Sequence, residues 1–124
     1  MKALLMPYTI SAIENILNQR RWCDENLPIE NSLIAYDLML ELTLRQAQNR
    51  KQTIKQFFSS LPHSYTAVRQ HYNRLINDGW IEHEKDSLDG RIKYVQPTAK
   101  FNLVMTEYFK MLDSTFSANH YQSP

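Results

Sequence analysis

A chain of 124 residues, 43% hydrophobic and 22% charged, has the size and balance of one globular domain that can bury its own core. Its single cysteine, Cys23, excludes an internal disulfide framework and fits a reducing, cytoplasmic setting. The apolar stretch from Met1 to Pro7 is too short for a signal-peptide core, and no run approaches the roughly 18 apolar residues of a membrane span. The net charge of +1 conceals a segregation. From Leu42 to Asn77 there is no Asp or Glu, while Arg45, Arg50, Lys51, Lys55, Arg69 and Arg74 supply +6, which leaves −5 for the remainder. A basic block in an otherwise acidic chain is the footprint of a polyanionic partner, and equally of a solvated basic face.

In chain order, Ile10, Ile13, Ile16 and Leu17 give an amphipathic helix over Thr9–Arg21. Trp22–Pro28 reads as a loop. A second helix over Glu30–Gln48 is apolar almost all round, with one polar stripe of Asp37, Glu41, Arg45 and Gln48, and so is expected to be buried on most sides. A third helix over Thr53–Leu61 carries Ile54, Phe57, Phe58 and Leu61 on one face. Pro62-His63 breaks it, and Ser64 can cap a fourth helix that ends at Asn77 before a left-handed Gly79. Two strands, Trp80–Lys85 and Ile92–Gln96, flank an Asp89-Gly90 hairpin tip. Pro97 stops the second strand, and Thr98 can cap a last helix reaching about Asn119. The two glycines fall where positive φ is expected, at Gly79 and Gly90.

A short helix, a tight turn and a second helix make a helix-turn-helix, whose second helix enters the major groove of DNA. In the fourth helix Val68, Tyr72 and Leu75 share one side. Thr66, Gln70, Asn73 and Asn77 lie opposite, flanked by Arg69 and Arg74, and the face has no carboxylate. Amides can bond adenine edges, and guanidinium groups can bond guanine or phosphate.

The run Thr53-Ile54-Lys55-Gln56-Phe57-Phe58, the run Ser64-Tyr65-Thr66-Ala67-Val68-Arg69 and the ending Leu75-Ile76-Asn77-Asp78-Gly79-Trp80-Ile81 resemble the helix-turn-helix of MarR-type regulators. Asp89-Gly90-Arg91 resembles the Asp-x-Arg hallmark of that family's wing. The resemblance implies a mainly α winged helix-turn-helix over 53–97 within a single domain, flanked by helices at 9–21 and 98–119. It implies a cytoplasmic double-stranded-DNA-binding transcriptional regulator that needs no cofactor. DNA contacts would fall to Ser64, Tyr65, Thr66, Arg69, Gln70, Asn73, Arg74, Arg91 and Lys93, with Asp89 and Gly90 supporting the wing. Pro97-Thr98-Ala99-Lys100-Phe101 departs from the family's Leu-Thr-x-x-Gly run, and other winged-helix families, PadR-like or phage-type, share the rest of the pattern.

Regulators of this kind dimerise through their terminal helices. That role would fall to Ile10, Ile13, Leu17, Phe101, Met105, Tyr108, Leu112 and Phe116 in a homodimer. No motif identifies an effector ligand. Cys23 has Arg20 and Arg21 nearby but also Asp24 and Glu25, a poor setting for a redox switch. His63, His71, His83 and His120 lack metal-ligand spacing, and no phosphate loop or nucleophile motif points to an enzyme. The competing reading is a winged-helix protein-interaction module without DNA binding.

Overall fold

The computed structural model describes residues 8–117. The elements are α1 (Tyr8–Asn26), α2 (Leu33–Ala47), α3 (Ile54–Ser59), α4 (Tyr65–Asn77), β1 (Ile81–Lys85), β2 (Lys93–Pro97) and α5 (Ala99–Leu112), followed by a π-helical turn at Asp113–Ser117. The stretch Met1–Pro7, the end of the last helix near Asn119, and His120 lie outside the described residues. No described helix is long and apolar enough to cross a membrane. The chain divides into two compact units, Pro28–Leu103 and a second formed by the stretch ending at Leu27 together with that beginning at Val104.

In the larger unit each helix start and stop has a local cause. Ser32, Thr53 and Ser64 accept hydrogen bonds at their side chains from Ala35, Gln56 and Ala67 N–H and open α2, α3 and α4. Gln56 returns its side-chain oxygen to the Thr53 N–H at 2.9 Å, which completes a capping box. At the end of α4, Gly79 N–H bonds Ile76 O and Trp80 N–H bonds Leu75 O, with Gly79 at φ +79°. The end of α2 repeats this geometry with Asn49 in glycine's place at φ 54°: Asn49 N–H reaches Gln46 O and Arg50 N–H reaches Arg45 O.

β1 and β2 pair antiparallel, Ile81 opposite Pro97 and Lys85 opposite Lys93. Val95 N–H also bonds Gln52 O, and Thr53 bridges Tyr94, so the approach to α3 covers the second edge of β2. Inside lie Ala35, Leu38, Met39 and Leu42 of α2, Phe57 and Phe58 of α3, and Val68, Tyr72 and Leu75 of α4, with Ile81, Val95 and Phe101. In the smaller unit Cys23, Met105 and Tyr108 are buried, Trp22 packs on Tyr108 at 5.8 Å between centroids, and the Gln19 amide donates to the Tyr108 hydroxyl at 3.0 Å.

Several expectations are corrected. Trp22–Asn26 is helical, because Trp22 and Cys23 are held by packing that no local breaker opposes. α2 starts at Leu33, after Glu30 and Asn31 take left-handed φ of 48° and 59°. Along its length it is covered on most sides as expected, with residues 34–43 all buried or half-buried, although Leu33 and Leu44 are exposed. Pro97 is the last residue of β2, an end position where its missing N–H costs least. Gly90 does not take positive φ, and a Cβ there would meet open space.

The two glycines should therefore respond oppositely. Gly79→Ala forces an L side chain into the left-handed region and should cost roughly 1–2 kcal/mol. Gly90→Ala should be neutral or stabilising by up to about 1 kcal/mol, because it removes freedom from the unfolded chain. Urea unfolding midpoints check this, and equal losses at both positions would contradict it.

Candidate nucleic-acid interface

Helix α4 buries Val68, Tyr72 and Leu75 and leaves Thr66, Arg69, Gln70, Asn73 and Asn77 exposed. Arg69, Gln70 and Asn73 make no side-chain hydrogen bond or ion pair within the described residues, so their donors and acceptors are free for a ligand. Ser64 is exposed, but its hydroxyl is occupied by the Ala67 N–H at 3.3 Å. Tyr65 is exposed at the helix start with its ring 5.3 Å from that of Phe58. Arg74 is not a free flank. It is half-buried, 3.5 Å from Glu30 and 3.3 Å from the His71 ring, and this ties α4 to the turn before α2. Sequence patterning missed the pairing because Glu30 lies far from Arg74 along the chain.

The hairpin tip is organised by Asp86. One carboxylate oxygen accepts the N–H groups of Leu88 and Asp89, each at 3.0 Å, and the other accepts the Tyr94 hydroxyl at 2.8 Å. The Tyr94 bond, then the two N–H bonds, hold the Asp86 carboxyl below its usual range. Asp89 grips Arg91 through two contacts, Nε to Oδ1 at 3.1 Å and Nη2 to Oδ2 at 3.2 Å, which lowers the Asp89 carboxyl in turn. The Arg91 side chain is nevertheless 91% exposed.

Strand alternation sorts the hairpin's charges. Ile81, His83 and Lys85 share a face with Pro97, Val95 and Lys93, whereas Glu82 and Glu84 occupy the other face with Gln96 and Tyr94. The acids are engaged on their own side, Glu82 by Gln96 and Glu84 by Lys51, each at 3.3 Å. Lys85 and Lys93 stand directly opposite each other without a described counter-ion, an arrangement that repels in the free chain. They lie on the same face as His83, whose Nε2 is 2.6 Å from the Tyr72 hydroxyl of α4. Lys85 was missed from sequence because only the register reveals its pairing with Lys93.

The residues expected to dimerise separate into two groups. Phe101 in the larger unit and Met105 and Tyr108 in the smaller are at most 2% exposed, already covered within one chain, so that part of the expectation is corrected. Ile10, Ile13 and Leu17 each stand about half exposed on α1, with Ile16 beside them. Phe109 and Phe116 are also exposed, and Leu112 is half-buried. The Cys23 thiol is pushed up mainly by burial, the opposite of a reactive thiolate. No group of acidic, histidine or cysteine side chains among the described residues could hold a metal ion.

His71 and His83 both fall below the ordinary imidazole value. Burial is the main cause in each, reinforced by Arg74 at His71 and by Lys93 at His83. The unfolded chain therefore takes up protons more readily than the folded one. The stabilisation is complete above the ordinary value of about 6.5 and is lost as pH falls through the lower folded values. Urea midpoints should drop between about pH 7.5 and about pH 5, and less steeply in His83→Gln, where the amide oxygen can still accept from Tyr72. Equal slopes in the two proteins would count against this account of His83.

No family model matches the chain, and no curated protein matches it. Solved structures do. A MepR mutant from a multidrug-resistant S. aureus clinical isolate aligns with a TM-score of 0.76 over 94% of this chain and 81% of that one, at 13% identity. The S. aureus MepR–DNA complex gives 0.67 over 93% and 90%, at 16% identity. Streptococcus pneumoniae FabT in complex with DNA gives 0.64 over 100% and 85%, at 14% identity. The helices and two-stranded hairpin described here are thus the winged-helix fold found in these MarR-family regulators.

Proposed function

We propose that the chain is a sequence-specific, double-stranded-DNA-binding transcriptional regulator of the MarR type, acting in the cytoplasm as a homodimer without catalysis or cofactor. The observation that carries this reading is the sorting of charge on the two elements. The exposed face of α4 has no acid, and the hairpin sends its acids to one face and Lys85 and Lys93 to the face that touches α4. The fold it shares with proteins solved on DNA supports the same conclusion.

In this reading α4 lies in the major groove. Gln70 and Asn73 bond base edges, Thr66 and Tyr65 contact the groove wall, and Arg69 takes a phosphate. Arg91 enters the minor groove with its guanidinium oriented by Asp89, and Lys85 and Lys93 neutralise phosphates alongside. Ile10, Ile13 and Leu17, with Leu112 and Phe116, bury against a second copy. Two-fold symmetry then asks for a near-palindromic site with half-sites about 10 base pairs apart.

Fluorescence anisotropy across a salt series tests the assignment. Gln70→Ala or Asn73→Ala should cost about 1–3 kcal/mol on the preferred duplex and leave scrambled DNA nearly unaffected. Arg91→Ala and Lys85→Ala should each weaken all duplexes and lower the log affinity–log salt slope by about one. Absence of duplex binding at low salt would leave the protein-interaction module in its place. For the dimer, light scattering should give two chains for the wild type and one for the Leu17→Asp/Phe116→Asp double variant. A monomeric wild type would overturn the dimer.

A further inference from the structure

Leu88, at the hairpin tip, is 96% exposed, more than any other large hydrophobic side chain among the described residues. It is not at the end of a loose loop. Its own N–H and that of Asp89 bond one oxygen of Asp86, whose other oxygen is tied by the Tyr94 hydroxyl to β2. The Asp86 N–H bonds Ile92 O, and the Ile92 N–H bonds Asp89 O, so both sides of the tip are closed. The hairpin thus fixes the backbone that carries an isobutyl group standing in water, three residues from the exposed Arg91.

We propose that Leu88 is an apolar wedge that enters the minor groove beside Arg91, parts one base step and bends the duplex. This rests on the DNA-binding reading above. The two side chains divide the work chemically. Arg91 supplies attraction to the groove's negative potential. Leu88 has no charge to offer and gains by leaving water, which a parted base step allows more completely than the sugar edges of the groove. The carboxylates at the tip do not oppose the approach strongly, because Asp89 is paired with Arg91 and Asp86 is occupied by three donors. A two-stranded tip is narrow enough to present single side chains to a groove about 6 Å wide. Pyrimidine–purine steps unstack most easily, so the wedge selects such a step where no hydrogen bond reads it.

The test uses the full chain on a duplex recovered by selection from a random pool, end-labelled for energy transfer, with 2-aminopurine placed in turn at each step flanking the helix contacts. For the wild type the ends should approach and 2-aminopurine emission should rise at one step. Leu88→Ser should still bind, more weakly but with an unchanged salt slope, and lose both signals, whereas Leu88→Met, apolar and of similar size, should retain them. A wild type that binds without bending, or a Leu88→Ser variant that bends and unstacks normally, would overturn the wedge and point to Leu88 as a contact for another protein. A wild type that binds no duplex would overturn the DNA reading and the wedge together.

Discussion

Tyr72 sits in the middle of α4 and holds three elements to one another. Its ring meets Phe58 edge-on at 4.9 Å and Phe57 at 6.2 Å, both on α3, and its hydroxyl reaches His83 on β1 at 2.6 Å. A buried hydroxyl without a partner costs about 1–3 kcal/mol, so the hairpin must lie where His83 can accept that proton. Burial raises the Tyr72 hydroxyl far above its usual value and keeps it a donor, while His83 is kept neutral and able to accept. Tyr72 thus links the two helices of the helix-turn-helix to β1, while the Val95 N–H bond to Gln52 O fastens β2 from its other edge.

That placement gives the sorted charge its effect. Residues on one face of β1 and β2 alternate with those on the other, so a His83 fixed against α4 obliges Lys85 and Lys93 to share its side and Glu82 and Glu84 to turn away. The chain tolerates two opposed lysines and places its acids where Gln96 and Lys51 engage them. Local arrangements that do not favour the free fold are typical of surfaces shaped by a partner. Asp86 plays the matching role at the tip: a single carboxylate joins the turn to β2 and leaves Leu88 and Arg91 projecting.

Much of this architecture was legible in the residues. Ser64 and Gly79 bound α4 because a side-chain oxygen and a left-handed glycine satisfy helix ends within a few residues. Phe57, Val68, Tyr72 and Leu75 were legible as core from helical spacing. Other features were not. Glu30 and Asn31 take left-handed φ although neither is glycine, and Gly90 does not take positive φ although it is one, so residue type alone did not predict these turns. Trp22 and Cys23 look like loop residues until Tyr108 is brought against them.

By itself, then, the sequence determined the order and polarity of the helices, the hairpin between the fourth and last of them, and the acid-free face of α4. These depend on periodicity and on caps, which act over one or two turns. Only the tertiary structure decided that Phe101, Met105 and Tyr108 are spent in the interior while Ile10, Ile13 and Leu17 stay exposed. It alone paired Arg74 with Glu30 and set Lys85 opposite Lys93. Burial and cross-strand register are fixed by groups far apart along the chain, and no local pattern encodes which of two similar apolar stripes will find a neighbour.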